Sequence, residues 1–191
     1  MSVTLQIYDQ PKEPDPQWIS GRDLLALIQH IPNPVGVEIG VDEAPTSWWL
    51  LKNRPDMKLY GIDPYMAYQD WYPEGYISQQ SNDQKYDKMR QRTAQFGDRW
   101  KHYRITSDDA VPLFADNSLD FIFIDGLHEY DQVLKDCRNY WPKIKSGGIF
   151  SGHDYKVIEG VGRAVNTFAQ EVGQNEIIYL PDNDVWAWVK P

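Results

Sequence analysis

Five short apolar or β-branched segments, separated by stretches with helical spacing, constrain the fold of this chain more than any other feature. The segments are VGVEI (35–39), KLYGI (58–62), HYRIT (102–106), FIFI (121–124) and GIFSG (148–152). Apolar residues between them predict helices near 46–53, 81–96, 107–114 and 129–141. Short apolar strands that alternate with helices are typical of parallel strands buried on both faces of a sheet. The sequence therefore predicts an α/β fold with a mostly parallel sheet and helices on both faces.

The flanking segments complete this arrangement. Residues 18–31 have amphipathic spacing and predict a helix with Ser20 as its cap and Pro32 as its stop. A further helix is predicted around 161–172, followed by the strands EIIYL (176–180) and VWAWV (185–189). We therefore expect seven strands in a single domain over 1–191, with 1–32 as an N-terminal helical extension.

Composition excludes several classes of protein. A length of 191 residues with 41% hydrophobic residues is enough for one buried core. The net charge of -9 disfavours nucleic acid, because an acidic chain is repelled by phosphate. No apolar run reaches the roughly 18 residues of a membrane span, and the N-terminus does not have the pattern of a signal peptide. The single Cys137 lies on an apolar helix face and is expected in the core. We expect a cytoplasmic protein with no membrane partner.

Polar residues follow each of the five core strands. Ligands of such sheets bind beyond the carboxyl ends of the strands, so these exits are candidate binding positions. Aspartate is also a common helix cap and turn former, which leaves a purely structural role open for each acid alone. Taken together, they favour a site. The exits are Glu38, Ile39 and Gly40, then Asp63, then Ser107 and Asp108, then Asp125, then His153 and Asp154.

The first two exits indicate the kind of ligand. Only Gly40 of a GxGxxG pattern is present, so a nicotinamide dinucleotide is disfavoured. Asp63 follows the second strand, where nucleotide-binding sheets place an acid that accepts hydrogen bonds from a ribose. The sequence therefore favours an adenosine-like ligand whose phosphates, if any, are not cradled by a glycine-rich loop.

Several motifs carry a family resemblance. VGVEIGVDEAPTS, LYGIDPY and DFIFIDGLHEYDQVLKDCRNYWPKIKSGGIFSGHDY resemble the class I S-adenosylmethionine-dependent methyltransferases. The resemblance is strongest to a small bacterial group similar to macrolide sugar O-methyltransferases, and it covers residues 33–156. It implies a Rossmann-like, doubly wound sheet. One departure is Ala44, followed by Pro45, where such enzymes usually have a second glycine.

The resemblance implies roles for the strand exits. Glu38, Ile39 and Gly40 would line the methionine end of S-adenosylmethionine, and Asp63 would hold the ribose hydroxyls. Ser107 and Asp108 would flank the adenine, and Asp125 would also contact the cofactor. There are structural alternatives for two of these residues. Glu38 could simply form a salt bridge with a lysine, and Ser107 could only cap the helix that follows it.

A second group of residues is implicated in catalysis. A hydroxyl is a poor nucleophile until its proton is removed, and a neutral imidazole such as that of His128 can accept that proton near pH 7. The resemblance implies that His128 is this base and that Asp125 orients it or binds a metal. It also implies a divalent ion, Mg²⁺ or Mn²⁺, held by Asp125, His153 and Asp154, although His153 stands where a carboxylate is usual. His128 as a helix cap is the structural alternative.

Residues 64–80 form an aromatic, lid-like insertion that we expect beside the cofactor. Aromatic faces suit sugars and flat rings, so Tyr65, Tyr68, Trp71 and, from the last exit, Tyr155 are candidate substrate contacts. A satellite hydrophobic cluster and a contact in a homo-oligomer are equally open interpretations of the insertion.

The sequence thus predicts methyl transfer from S-adenosylmethionine to a hydroxyl of a small molecule, with sugars among the candidates. One alternative is a cofactor-binding protein without catalytic activity that serves as an oligomeric partner. Another is a metal-dependent relative resembling the oxygenases, because a histidine with two acids can bind iron.

Overall fold

The structure is a computed structural model that describes residues 19–69, 75–174 and 176–191. Its helices and strands alternate along these residues. In chain order they are α1 (Ile19–Ile28), β1 (Val35–Ile39), α2 (Pro45–Asn53), β2 (Lys58–Ile62), β3 (Tyr68–Gln69), β4 (Tyr76–Ile77), α3 (Gln79–Thr93), β5 (Trp100–Tyr103), α4 (Ser107–Ala110), β6 (Leu119–Ile124), α5 (Tyr130–Tyr140), β7 (Ile144–Gly152), α6 (Glu159–Glu171), β8 (Ile178–Leu180) and β9 (Val185–Val189).

Seven of the described strands form one sheet, in the order β5-β2-β1-β6-β7-β9-β8. The first five in this order are parallel, and β9 runs antiparallel to both β7 and β8. Strands β3 and β4 form a separate small hairpin. The chain winds outward from β1 to β5 and then returns to β6, so a crevice opens beyond the carboxyl ends of β1 and β6. The predicted Rossmann-like, doubly wound sheet is confirmed.

The sheet is buried on both faces because its strands alternate their side chains. Ile122 and Ile124 of β6 belong to the cluster on one face, where α5 and α6 pack through Leu134 and Phe168. Phe121 and Phe123 of the same strand belong to the other cluster, which contains Leu27 of α1 and Leu50 of α2. Cys137, Trp186 and Trp188 are buried in the first of these clusters. None of the helices in the described ranges is long and apolar enough to span a membrane.

The third predicted strand differs from the observed one. The sequence places it at 102–106, whereas β5 covers Trp100–Tyr103, with Ile62 of β2 opposite Tyr103. The reason lies in Thr106, which caps α4: its hydroxyl accepts a hydrogen bond from the backbone N–H of Asp109 at 3.2 Å. Thr106 is β-branched and favours a strand by propensity, but here it serves as the N-cap of a helix. Ser20 lies within α1 and not at its cap.

Candidate active site

A cavity of about 450 Å³ lies at the carboxyl end of the sheet, within the size range of sites that bind small molecules. Three strand exits contribute to its lining, β1 through Glu38 and Gly40, β2 through Asp63 and β6 through Asp125, and Ser107 of α4 lies at the same edge. Helices α3 and α5 close its sides. The residues that they contribute are Asn82 and Lys85, and Gln132 and Asp136. The topology therefore gathers the residues predicted for cofactor binding around one cavity.

The residues that follow β1 and β6 are in close contact where Gly40 meets Asp125. Gly40 has a φ of 82°, and a Cβ added there would lie 2.0 Å from the carbonyl oxygen of Asp125. The N–H of Asp125 donates to the carbonyl of Ile39 at 2.8 Å. Only glycine fits both the left-handed conformation and the close approach. The two exits form the floor on which a ligand would rest.

Glu38 is buried at the end of β1, with only 2% of its surface exposed. Its carboxylate accepts a hydrogen bond from the hydroxyl of Ser47 on α2. Burial raises the pKa of Glu38 well above its ordinary value, although the Ser47 hydrogen bond opposes this. The partner of Glu38 is thus a hydroxyl and not a lysine, and the acid remains part of the cavity lining.

Asp63 ties together the loops that follow β1 and β2. Its Oδ2 accepts hydrogen bonds from the N–H groups of Val41 at 3.0 Å and Asp42 at 3.1 Å, and its Oδ1 accepts one from Tyr65 at 2.8 Å. Burial raises the pKa of Asp63 despite these three hydrogen bonds. Because each carboxylate oxygen has two lone pairs, Oδ1 keeps one for a ligand hydroxyl. The arrangement fits a ribose.

The main role of the Tyr65 side chain is to support this loop, and little of it is exposed to the cavity. It is 1% exposed, and its hydroxyl donates to the backbone carbonyl of Asp42. Asp42, Ala44 and Tyr65 all have positive φ, at 49°, 58° and 48°. Ala44, at the position where the resemblance implies a glycine, adopts the left-handed conformation that glycine would provide. Three residues with left-handed backbone thus lie in the loops that follow β1 and β2, next to the cavity.

An acid–imidazole cluster lies beside Asp125. The Nε2 of His128 is 2.9 Å from Oδ2 of Asp154, and the Nδ1 of His153 is 3.1 Å from Oδ1 of the same carboxylate and 3.6 Å from Oδ1 of Asp125. Burial acts to raise the pKa of Asp154, but its hydrogen bonds with His128 and His153 hold the pKa well below its usual range. Burial acts to lower the pKa of His153, but the hydrogen bond with Asp154 and the charges of both acids raise it to about 9. His153 is therefore an imidazolium at neutral pH.

The geometry groups a different trio from the one expected to hold a metal. Ligand atoms of Asp125, His128 and Asp154 all lie within 4.8 Å of one another, whereas the sequence placed His153 with the two acids. His153 instead pairs with both carboxylates through Nδ1. Burial raises the pKa of Asp125, and His153 is the main influence that opposes this shift. Two carboxylates and one imidazole suit Mn²⁺ or a later transition metal better than Mg²⁺.

The residues expected around adenine behave differently from one another. Asp108 lines the cavity, but its carboxylate accepts hydrogen bonds from Lys135 Nζ at 2.7 Å and Asn139 Nδ2 at 3.2 Å. Ser107 accepts one from Gln132 Nε2 at 3.3 Å. Gln132 and Asp136 were not predicted. Their signal in the sequence is the placement of two polar residues four apart on the buried side of a helix.

The candidate substrate contacts are dispersed. Tyr68 lines the cavity and is 36% exposed, whereas Trp71 lies outside the described residues. Tyr155 is absent from the cavity lining within the described ranges. Its hydroxyl donates to Oδ1 of Asn166 at 2.8 Å, and its ring packs against that of Tyr179.

The fold and this site have the form of the class I methyltransferases. Residues 37–155 match the family described as a methyltransferase domain, which is more than half of the chain. The chain therefore belongs to the methyltransferase domain family. S-adenosylmethionine is the cofactor of this class, and the open lone pair of Asp63 and the close approach at Gly40 fit it.

Solved structures of three methyltransferases share the fold. The O-methyltransferase NovP aligns with a TM-score of 0.68 at 16% identity, covering 91% of this chain and 79% of NovP. A TDP-rhamnose 3'-O-methyltransferase of calicheamicin biosynthesis aligns at 0.64 and 13%, covering 92% and 79%. TomG from Streptomyces achromogenes, an O-methyltransferase of tomaymycin synthesis solved with S-adenosylmethionine, aligns at 0.61 and 14%, covering 94% and 82%.

A relative among curated proteins is an uncharacterized protein of Acanthamoeba polyphaga mimivirus. It is 28% identical over an alignment 146 residues long, which covers 71% of this chain. The chain spans 59% of the length of that relative.

Proposed function

We propose that the protein transfers a methyl group from S-adenosylmethionine to a hydroxyl oxygen of a small molecule, with sugars as one acceptor class. The observation that carries this proposal is the pairing of His128 with Asp154 at 2.9 Å beside a cavity that fits the cofactor. The similarity in fold to NovP, TomG and the rhamnose enzyme, all of them O-methyltransferases, supports the same chemistry.

The cofactor, when bound, supplies a methyl group already activated on a sulfonium. The chain would position it through Glu38 and Gly40 at the methionine end and Asp63 at the ribose. In the displacement, a new bond forms between the acceptor oxygen and the methyl carbon, and the carbon–sulfur bond breaks with its electron pair left on sulfur. The protein must therefore align the acceptor and accept its proton.

His128 is the proposed proton acceptor. Its ring borders the cavity, and its Nε2 lies 2.9 Å from Oδ2 of Asp154. Asp154 would then stabilise the imidazolium that forms, as an acid that orients a catalytic histidine does. The nearby His153 imidazolium helps to keep Asp154 ionised for this role.

A divalent ion at the same cluster is the competing account of how the acceptor is activated. Asp125, His128 and Asp154 could hold an ion, which would lower the pKa of the acceptor hydroxyl. His128 would in that case be a ligand instead of a base. Iron oxygenase sites use two histidines and one carboxylate, the reverse of this set, so we do not extend the oxygenase interpretation.

Incubation with S-adenosylmethionine carrying a deuterated methyl group tests the proposal. The acceptors would be a panel of hydroxylated sugars, nucleotide sugars and phenols, and mass spectrometry would follow product and S-adenosylhomocysteine. We expect labelled product with at least one acceptor class. Tight binding of S-adenosylhomocysteine without transfer to any member would favour the non-catalytic alternative, and failure to bind it would contradict the proposal as a whole.

A further inference from the structure

Three polar residues at the adenine end of the cavity form a network that the proposed transfer does not use. Asp136 on α5 is 1% exposed, and Gln132 lies one turn before it. Ser107 opens α4 after the exit of β5. All three belong to the cavity lining. A buried acid without a cation beside it costs free energy, so its presence calls for an explanation.

The hydrogen bonds of this network have a defined direction. Gln132 Nε2 donates to Oδ1 of Asp136 at 3.1 Å and to Oγ of Ser107 at 3.3 Å, which uses both amide hydrogens. The Ser107 side chain also interacts with Asp136 and opposes the rise of its pKa. An ionised carboxylate can only accept, and Ser107 Oγ already accepts from Gln132, so this interaction directs the single hydroxyl hydrogen of Ser107 to Asp136. Turning the Gln132 amide over would place its oxygen against the carboxylate.

The charge state of Asp136 agrees with this direction. Burial raises its pKa to about 6, against the opposing effect of the hydrogen bonds from Ser107 and Gln132. The carboxyl group is therefore mainly ionised above neutral pH. It consumes the donors of both neighbours and leaves them only lone pairs to offer.

A ligand at this end of the cavity would therefore face hydrogen-bond acceptors. Ser107 keeps a lone pair on Oγ, and Gln132 keeps Oε1, which has no hydrogen bond among the described residues. Neighbouring polar groups are otherwise engaged: Lys135 and Asn139 hold the Asp108 carboxylate, and the Tyr140 hydroxyl donates to the Ser107 carbonyl at 2.7 Å.

We propose that Asp136 is a positioning residue that sets the hydrogen-bond polarity of Ser107 and Gln132, so that they select a purine with a 6-amino group over one with a 6-oxo group. The amino group supplies two donors to the two acceptors. A carbonyl at that position would face oxygen lone pairs and leave buried groups unpaired. The proposal rests on the cofactor placement given under Proposed function.

Calorimetry with S-adenosylhomocysteine and its deaminated counterpart, S-inosylhomocysteine, tests this selection. The wild type is expected to prefer the adenosyl compound on the order of tenfold or more, the effect of one mismatched buried hydrogen bond. In Asp136→Asn the new amide can donate, Gln132 can turn over, and the preference should fall toward one. Asp109→Asn is the matched control, because this exposed acid on α4, the helix that Ser107 opens, forms hydrogen bonds with Thr106, lies outside the cavity lining and should keep the wild-type ratio.

The outcomes separate the selection from the cofactor assignment. A wild type that binds both compounds equally, or a folded Asp136→Asn that keeps the full preference, overturns the selection. If Asp108→Asn loses the preference and Asp136→Asn keeps it, the preference depends on Asp108, and the selection by Asp136 is likewise overturned. If Asp136→Asn fails to fold, Gln132→Leu removes the facing acceptor from a partly exposed position, and an unchanged ratio there also overturns it. A wild type that binds neither compound contradicts the cofactor placement itself.

Discussion

The carboxylate of Asp154 is shared between two imidazoles, with Oδ2 lying 2.9 Å from Nε2 of His128 and Oδ1 lying 3.1 Å from Nδ1 of His153. Asp154 has a φ of 61°, a conformation that costs about 1 kcal/mol or more for a residue other than glycine. One residue with a left-handed backbone thus holds both imidazoles, and they differ in their roles: His153 carries charge, and His128 is the proposed base.

Replacing His128 tests its role as the proton acceptor. His128→Gln is expected to lower turnover by roughly a hundredfold to ten-thousandfold, because proton transfer contributes in the transition state. The affinity for S-adenosylhomocysteine should hardly change. Steady-state kinetics and calorimetry on the variant measure both quantities. His30→Gln, which changes an exposed imidazole in the turn after α1 and outside the cavity lining, is the control. A folded His128→Gln with wild-type turnover would remove the base from the mechanism.

The metal account makes a separate prediction. If Asp125, His128 and Asp154 hold an ion, Mn²⁺ should raise the melting temperature by mass action, and Asp154→Asn should abolish that rise. Binding can be followed directly by the electron paramagnetic resonance of Mn²⁺. The expected order of affinity is Mn²⁺ above Mg²⁺, because one ligand is a nitrogen. Full turnover after dialysis against a chelator would rule out a metal in the reaction and leave His128 as the base.

Asp63 is predicted to anchor the ribose. Asp63→Asn should weaken S-adenosylmethionine binding by about 1.5 to 3 kcal/mol, the range for hydrogen bonds to a charged group. Because the same carboxylate accepts three backbone hydrogen bonds, thermal melting must be measured alongside calorimetry. Asp87→Asn on α3, outside the cavity lining, provides the comparison. Unchanged cofactor affinity in folded Asp63→Asn would contradict the assignment.

Comparing Gly40→Ala with Gly173→Ala distinguishes the cost of a left-handed backbone from the cost of a steric clash at Gly40. Both glycines have positive φ, at 82° and 72°, but a Cβ at Gly173 has nothing within 4 Å, whereas one at Gly40 meets the Asp125 carbonyl at 2.0 Å. We expect Gly173→Ala to cost about 1 kcal/mol of unfolding free energy and Gly40→Ala to cost more. Only Gly40→Ala should also abolish cofactor binding. Denaturant unfolding and calorimetry measure these effects, and equal behaviour of the two variants would refute the role given to Gly40.

Burial of Asp136 predicts a pH dependence of stability. Its folded pKa of about 6 lies above the ordinary value of 3.8, so the folded state retains a proton that the unfolded state has released. Stability is therefore lost as the pH rises from about 4 through about 6, by at most about 3 kcal/mol. Asp136→Asn lacks this loss, so the difference in unfolding free energy between variant and wild type should grow in favour of the variant over that window. Parallel denaturant titrations at pH 4 and 7.5 measure it, and a constant difference would contradict the burial argument.

The strand exits could be predicted because they depend on chain order. β1, β2 and β9 occur where the apolar runs predict them, and the parallel order then brings Glu38, Gly40, Asp63 and Asp125 to one edge. The third strand was misplaced because Thr106 favours a strand by propensity but serves as a helix cap here.

The presence of both imidazoles at the Asp154 carboxylate could not be predicted. How His128 and His153 are placed around it depends on the backbone turn at Asp154, whose positive φ is not encoded by residue spacing. Asp136 was missed for a related reason. A polar residue on an amphipathic helix is normally assigned to the solvent side, and only the contacts of Asp136 with Gln132 and Ser107 show that it faces the cavity.

The antiparallel placement of β9 has a consequence for synthesis on the ribosome. β9 lies between β7 and β8, although it follows both in the chain, and its Trp186 and Trp188 are buried in the core. Until those residues emerge, β7 has a free edge that would pair with whatever strand reaches it. A nascent chain stalled before residue 185 should therefore bind chaperones or aggregate, even though the cofactor exits have by then all been made. For this protein, completing the sheet and not assembling the site would be the last event of folding.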